Sequence, residues 1–161
     1  MPLAYIDPSV MSYTVQAIAA KYADAPDVVV ELDFAAPFPV RDADLLVTDW
    51  SGIAYEYAFT TRRPVLFVNT PMKVVNPEWE KIGLPPVNIT FRDQVGVSVD
   101  PNQFDRVPAI LDDFLARPAQ FADRIDKTLR DNFFNPGHAG ETAGRWILQT
   151  LIAKQKSKKG K

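Results

Sequence analysis

The sequence predicts an α/β fold in which a doubly wound parallel sheet of about four strands carries helices on both faces. Short apolar runs with β-branched residues alternate with longer segments whose apolar residues recur at helical spacing. Such alternation favours parallel pairing, because a parallel crossover needs a long connection, usually a helix. The strand candidates are residues 28–32, 45–47, 65–68 and 95–99. The helix candidates are 12–23, a segment from Ile53 to Arg62-Arg63-Pro64, 104–116, a segment from Pro118 onwards and 140–153.

Residues 44–71 contain the most informative pattern. An apolar strand candidate ends abruptly at residues 48–52, and apolar residues then recur at the spacing of a helix. Pro64 ends this helix, because proline disfavours the helical conformation in the residue before it. A second apolar run at 65–68 follows. This strand–loop–helix–strand order predicts a right-handed parallel crossover.

The turn between the strand and the helix of this unit is a candidate anion site. A helix N-terminus presents free amide N–H groups and the positive end of the helix dipole. Ligands of open α/β sheets bind beyond the carboxyl ends of the strands, where this turn lies. Ser51 can donate a hydroxyl, and Gly52 lets a phosphate approach the backbone. Asp49 and Ser51 are also explained as helix caps, so both interpretations stay open at this point.

The sequence ADLLVTDWSGIAYEYA, residues 43–58, together with 63–67, resembles the C-terminal half of CDP-glycerol glycerophosphotransferases. These enzymes make teichoic-acid-type and related capsular polymers. The family carries an aspartate, an aromatic residue, a serine and a second small residue at this turn, and an acidic residue one helical turn later. Those places are held here by Asp49, Trp50, Ser51, Gly52 and Glu56. The usual second serine is Gly52 in this chain, which removes one hydroxyl ligand and leaves its N–H.

The resemblance implies a binding site for CDP-glycerol or a similar nucleotide-linked donor. Ser51 and the N–H groups of Gly52 and Ile53 would hold the pyrophosphate, and Glu56 would accept hydrogen bonds from ribose hydroxyls. Asp49 belongs to the same motif. No metal-ligand cluster is visible in the sequence, and no cofactor is expected.

Two cations are further candidates for neutralising phosphate charge. Arg92 follows an irregular segment, 72–92, whose Asn76-Pro77 also resembles the family, and arginine suits a pyrophosphate through bidentate bonding. A surface salt bridge explains Arg92 equally well. His138 lies in a glycine-containing turn before the last helix, and it is either a phosphate-binding residue or a structural one.

The resemblance also implies an incomplete architecture. Family members combine two Rossmann-like halves in the arrangement called GT-B, and residues 1–153 would form the C-terminal, donor-binding half, truncated at its N-terminal side. The histidine proposed as the family's base, and a His-Pro pair at the start of this half, are both missing from the sequence. The catalytic residues are therefore unassigned, and a missing half or a partner chain would carry the acceptor site.

Composition restricts the environment and the partners. The chain lacks cysteine and has no segment of the length and apolarity of a signal peptide or a membrane span, which favours a cytoplasmic location. The net charge is −2 although five lysines crowd residues 154–161, so the body is acidic and nucleic-acid binding is not expected. The lysine-rich tail is expected to be disordered. It could contact anionic lipid at the inner face of the plasma membrane.

Three hypotheses remain open from the sequence. The first is the donor-binding part of a glycerophosphotransferase, inactive without its other half. The second is one half of a GT-B glycosyltransferase that uses a nucleotide-sugar, since an acidic ribose contact and a helix-terminal phosphate site would serve both. The third is a non-catalytic binding or assembly module that keeps the donor fold.

Overall fold

The computed structural model of the chain describes residues 8–31, 39–72, 74 and 76–159. Its strands are β1 (Leu46–Thr48), β2 (Val65–Val68) and β3 (Gly96–Val99). Its α-helices are α1 (Pro8–Lys21), α2 (Ile53–Thr61), α3 (Val87–Thr90), α4 (Arg92–Val95), α5 (Val107–Ala116), α6 (Pro118–Asn132) and α7 (Ala139–Lys159). Segments of 3₁₀ helix occupy Pro39–Arg41, Trp79–Ile82 and Pro101–Arg106.

The strands form one sheet in the order β1-β2-β3, and both neighbouring pairs are parallel. Leu46 lies opposite Val65, and Val65 lies opposite Gly96. Helix α2 connects β1 to β2, so the parallel strand–helix–strand unit predicted from residues 44–71 is confirmed. The α/β class with an open parallel sheet is confirmed as well.

Alternate side chains of β2 face opposite sides of the sheet, and helices cover each side. Val65 and Phe67 join buried residues of α2 and Ile125 of α6 in one core cluster. Leu66 joins Phe114 of α5 in a second cluster. Burying each of these side chains contributes about 1.5–3 kcal/mol, so the two layers hold β2 from both sides. The predicted placement of helices on both faces is therefore confirmed.

The C-terminal end of α2 is closed by its own cap and by α6. Arg62 adopts the left-handed conformation with φ 62° and donates its backbone N–H to Ala58 O at 2.9 Å. Its guanidinium forms an ion pair with Asp126 of α6 and a hydrogen bond to the backbone of Phe59. The helix thus stops before Pro64, as predicted, although the terminating conformation belongs to Arg62.

The strand predicted at residues 28–32 is wrong for its described part. Residues 28–31 have no regular secondary structure, and Val29 is 89% exposed. β-Branched residues favour a strand only where neighbouring strands and a core pack against them. The described residues therefore contain three strands instead of about four. Leu32, the last residue of this strand candidate, lies outside the described residues.

Helix boundaries differ from the predictions in three places. Helix α1 begins at Pro8 instead of residue 12, since proline is well suited to the first turn of a helix. The predicted helix 104–116 is divided into a 3₁₀ segment and α5, which begins with Pro108 in its first turn. Val95 ends α4 instead of opening β3.

The expected disordered tail is helical up to Lys159. Residues 154–159 continue α7, because lysine and glutamine are good helix formers and lysines near a helix C-terminus interact favourably with the dipole. Within the described part of the chain, no helix is long and apolar enough to cross a membrane.

Gly96 should be intolerant of any side chain. A Cβ placed there would lie 1.8 Å from the backbone O of Val65 on the neighbouring strand, so Gly96→Ala must push β3 away from β2. We expect the free energy of unfolding, measured by urea denaturation with circular dichroism, to fall by about 3 kcal/mol. Gly144→Ala is the matched control, because a Cβ at Gly144 in α7 meets nothing within 4 Å. Equal midpoints for the two variants would contradict the close approach of β2 and β3.

Candidate functional site

The segments that follow the three strands are tied together at the carboxyl edge of the sheet. Trp50, after β1, donates its Nε1–H to the backbone O of Thr70, after β2, at 2.8 Å. Asn69 donates its Nδ2–H to Asp100 Oδ1, after β3, at 2.9 Å. Ligands of open parallel sheets bind at this edge. The two hydrogen bonds therefore fix the relative positions of the loops that would contact a ligand there.

Arg92 is the centre of this network. Its Nη1 donates to the backbone O of Asp49 at 3.1 Å, and its Nη2 donates to Asn69 Oδ1 at 2.9 Å. The guanidinium carbon lies 4.0 Å from the ring centroid of Trp50 and 4.3 Å from that of Phe67, which gives two cation–π contacts. The residue is only 5% exposed. Burial lowers the pKa of Arg92, and Tyr55 and the carboxylates of Asp93 and Asp49 offset this in part.

The predicted roles of Arg92 differ from the structural one. The sequence predicted either a pyrophosphate ligand or a surface salt bridge. Among the described residues, no carboxylate lies within ion-pair distance of Arg92, and its two terminal nitrogens are bonded to protein oxygens. Arg92 therefore fixes the loop after β1 to the loop after β2, a positioning role that spacing along the sequence could not indicate.

The N-terminus of α2 is left without a side-chain cap. Gly52 is the N-cap residue in a helical conformation, with φ −64° and ψ −25°, and neither Asp49 nor Ser51 forms a capping hydrogen bond. The first backbone bonds run from Ala54 N to Ser51 O at 3.4 Å and from Tyr55 N to Gly52 O at 3.1 Å. The amides of Gly52 and Ile53 have no acceptor in the described part of the protein. The helix-cap interpretation of Asp49 and Ser51 is therefore wrong.

Both residues that carry these amides are exposed. Gly52 is exposed, and a Cβ on it would meet nothing within 4 Å. Ser51 is half-buried, whereas Asp49 and Glu56 are exposed. Glu56 lies on the outer face of α2, opposite the face that buries residues such as Ala54 and Tyr57. The structure thus brings five of the predicted site residues together around one helix end: Asp49, Ser51, Gly52, Ile53 and Glu56.

His138 lies at the other end of α2. Its side chain is 77% exposed, and its Nδ1 is 3.8 Å from Glu141 Oε2, one helical turn further on. The neighbouring Gly137 and Ala139 line a depression with Arg62, the C-terminal cap of α2. The nine residues of α2 span about 13 Å, so His138 does not join the residues at its N-terminus.

A cleft of about 200 Å³ opens beside the loop after β1, and sequence reasoning missed it. Its apolar lining includes Trp50, Met72, Val74, Trp79, Pro86 and Ile89. Asn76 and Asn88 supply the amide groups. The signal in the sequence was the irregular segment 72–92 with its tryptophan and two asparagines. A segment of this length is either a functional loop or lid or an irregular stretch packed by its aromatic residues, and neither interpretation indicates a cleft. Folding that segment into short helical turns creates a concave wall.

Tyr55 has a buried hydroxyl with no hydrogen-bond partner among the described residues. The residue is 8% exposed and its ring lies 6.1 Å from that of Phe67. Burial raises the pKa of Tyr55 to about 12, although the Arg92 charge lowers it in part. Tyr57, two residues on, instead donates its hydroxyl to the backbone O of Ala43 at 2.7 Å. Both tyrosines of α2 are thus buried, but among the described residues only the hydroxyl of Tyr57 has a hydrogen-bond partner.

The fold and this edge of the sheet define a class: an α/β domain with a three-stranded parallel sheet and an uncapped, solvent-open helix N-terminus at its carboxyl edge. No family model matches the chain, and no curated protein or solved structure shows significant similarity to it.

Tyr55→Phe and Tyr57→Phe should have opposite effects on stability at pH 7. Tyr55→Phe removes a buried hydroxyl without a partner, so we expect the free energy of unfolding to stay constant or to rise by about 1 kcal/mol. Tyr57→Phe removes the hydrogen bond from the Tyr57 hydroxyl to Ala43 O and should lower the free energy of unfolding by about 1 kcal/mol. Urea denaturation of both variants measures the difference.

The same pair tests the titration of Tyr55. Its pKa of about 12 in the folded state exceeds the ordinary 10.0, so the folded protein binds more protons than the unfolded chain between these values and stability falls as the pH rises from 10 to 12. Tyr55→Phe should reduce this fall. An unchanged slope in Tyr55→Phe would show that Tyr55 ionises normally, and a loss of stability at pH 7 would show that its hydroxyl has a partner.

Proposed function

We propose that this domain binds the diphosphate of a nucleotide-linked donor at the N-terminus of α2, as the donor-binding part of a CDP-glycerol or related polyol-phosphate transferase. The observation that carries the proposal is the pair of amides at Gly52 and Ile53, which have no acceptor among the described residues and belong to exposed residues at the carboxyl edge of a parallel sheet. Helix N-termini in this position favour phosphate through their amides and their dipole.

The neighbouring side chains supply the remaining contacts of the proposed site. The half-buried hydroxyl of Ser51 donates to a phosphate oxygen, and the exposed carboxylate of Glu56 accepts hydrogen bonds from ribose hydroxyls. Asp49 is exposed and anionic, so it repels phosphate and instead suits a hydroxyl of the ligand. Arg92 does not touch the donor in this proposal, because it holds the loop that carries these groups.

The proposed reaction is a phosphoryl transfer. An acceptor hydroxyl attacks the phosphorus that bears the glycerol, an acceptor O–P bond forms, and the P–O bond to the nucleoside monophosphate breaks. The helix amides stabilise the charge on the leaving nucleotide. A base on the proposed acceptor-side half, in further sequence or in a partner chain, takes the proton of the hydroxyl. We propose that this half completes a GT-B arrangement with a Rossmann-like donor half.

Two other functions use the same features. A nucleotide-sugar glycosyltransferase half would share the helix-terminal phosphate site and the carboxylate of Glu56. A binding or assembly module would keep the donor site without chemistry. Ligand preference separates the three: cytidine nucleotides favour the first, uridine nucleotides the second, and absence of nucleotide binding the third.

Charge at Gly52 offers a sharp test of the phosphate site. Gly52→Asp places a carboxylate among the free amides, yet it should fold normally because the position is open and aspartate is a preferred N-cap residue. We expect its affinity for CDP-glycerol and CDP, measured by calorimetry beside UDP-glucose and UMP, to fall at least about tenfold. Gly52→Asn, of nearly the same size but neutral, is the matched control and should lose much less. If Gly52→Asp and Gly52→Asn lower the affinity for CDP equally, or if neither changes it, the phosphate does not lie at these amides.

A second proposal concerns α7, which we propose rests on an anionic membrane surface. The apolar residues Ile147, Leu148, Leu151 and Ile152 are all exposed on one side of the helix, and Trp146 is 66% exposed. Lysines follow at Lys154 and Lys156 and continue to the end of the helix. An exposed apolar face beside lysines is the pattern of helices that lie in the headgroup region, where each lysine contributes about 1 kcal/mol.

Vesicle sedimentation tests the membrane proposal. The protein should bind vesicles of phosphatidylglycerol and phosphatidylcholine but not of phosphatidylcholine alone, and Leu151→Ser should weaken this binding about tenfold, because it removes an inserted side chain. Leu115→Ser on α5 is the matched control, since Leu115 is exposed to a similar degree. If the protein does not bind these vesicles, or if both variants weaken the binding equally, the membrane proposal is contradicted. The exposed face of α7 would then be assigned to a protein partner.

A further inference from the structure

We propose that the cleft beside Trp50 binds a pyranose ring, so that the group carried by the donor phosphate is a sugar or a sugar derivative. Of the two enzyme functions proposed above, a ring-binding cleft favours the nucleotide-sugar donor over CDP-glycerol. This inference rests on the proposed phosphate site at α2. It concerns the part of the ligand on the other side of the phosphates from the nucleoside.

The lining of the cleft has the chemistry of a saccharide site. Two tryptophan side chains, Trp50 and Trp79, offer indole surfaces on which the C–H face of a sugar ring can pack. Asn76 uses its Oδ1 to accept the backbone N–H of Glu78 at 3.0 Å, which leaves its NH₂ group as a donor. Asn88 makes one long contact, from Nδ2 to Trp50 O at 3.5 Å, which leaves its Oδ1 as an acceptor. A ring with hydroxyls in its plane uses both kinds of group at once.

The indole of Trp50 is held before any ligand arrives. Its Nε1–H is bonded to Thr70 O at 2.8 Å, and the guanidinium of Arg92 covers its ring at 4.0 Å. A platform fixed in this way loses little conformational entropy when a ring packs on it. The buried Arg92 therefore supports the cleft as well as the loop of the phosphate site.

The position of the cleft assigns it to the transferred group. Trp50 immediately precedes Ser51, so the cleft begins where the proposed phosphate site begins. Glu56, the proposed ribose contact, lies on the outer face of α2, away from the sheet, whereas the cleft lies towards the loops after β2. A diphosphate at the amides of Gly52 and Ile53 thus directs the nucleoside to one side and the transferred group to the other.

The volume of the cleft selects among possible groups. About 200 Å³ is below the roughly 300–1,000 Å³ typical of sites that enclose drug-sized ligands, so it holds one ring and not a nucleoside with its phosphates. A three-carbon glycerol has no ring face for the indoles and would leave apolar wall in contact with water. The apolar lining therefore favours a hexose-sized group.

Indole N–H signals in a ¹⁵N-correlated NMR spectrum test the proposal in the intact chain. Glucose 1-phosphate should shift the signals of Trp79 and Trp50, glycerol 3-phosphate should leave Trp79 unmoved, and Trp146 on the exposed face of α7 is an internal control. Trp79→Leu should lower the affinity for glucose 1-phosphate about tenfold, because it removes the stacking surface and keeps an apolar wall. Trp146→Leu is the matched control and should have no effect.

The remaining outcomes separate this inference from the proposed function. If CDP shifts the Trp79 signal as much as glucose 1-phosphate does, or more, the base of the nucleotide lies in the cleft and the proposal is overturned. Equal shifts with the glucose and glycerol phosphates, or none with either, overturn it too. The backbone signals of Gly52 and Ile53 report the phosphate site separately: if CDP leaves them unmoved while glucose 1-phosphate shifts Trp79, the nucleotide function fails and the saccharide cleft stands.

Discussion

The buried guanidinium of Arg92 is the interaction on which the ligand edge of this domain depends. A charge this far from solvent is costly unless hydrogen bonds and polarisable surfaces replace its water. Here two charge-assisted hydrogen bonds, to Asp49 O and Asn69 Oδ1, and the rings of Trp50 and Phe67 replace it. Because these partners come from β2 and from the loops that follow β1 and β2, the charge is satisfied only when both loops are in place.

This arrangement is consistent with the proposed anion site, at which the charge of Arg92 itself is buried. Arg92 holds the backbone at Asp49, three residues before the pair of free amides begins with Gly52. In the proposed site, anion recognition comes from neutral amides and the dipole of α2, which act over the first turn of the helix. Arg92 and His138, the two cations that the sequence suggested, do not present their charge there: one is buried beneath the loop, and the other lies at the opposite end of α2.

Local patterns predicted most of the fold, and long-range geometry accounts for the misses. The unit from β1 to β2 was predictable because strand, turn, helix and stop follow one another within a short segment. The strand prediction for residues 28–31 was wrong because β-branched residues form a strand only beside neighbouring strands, which the sequence does not reveal. The burial of Arg92 could not be predicted, since spacing gives the order of residues and not their depth. The cleft around Trp79 was missed for the same reason, because its wall exists only after the segment 72–92 has folded.

Helix α2 shows why a site of this kind is stable without a ligand. Carbonyls near its C-terminus accept hydrogen bonds from the protein: Ala58 O from Arg62 N–H, Phe59 O from the Arg62 side chain, and Tyr57 O from Thr61 Oγ1. Its N-terminal amides at Gly52 and Ile53 have no acceptor among the described residues, but both residues are exposed, so this end of the helix is accessible to water and the desolvation cost of a buried orphan donor is avoided. A phosphate that displaces this water adds an interaction with the dipole and requires no rearrangement. The end of α2 that lacks a protein cap is therefore the end at which a ligand can bind with the least structural cost.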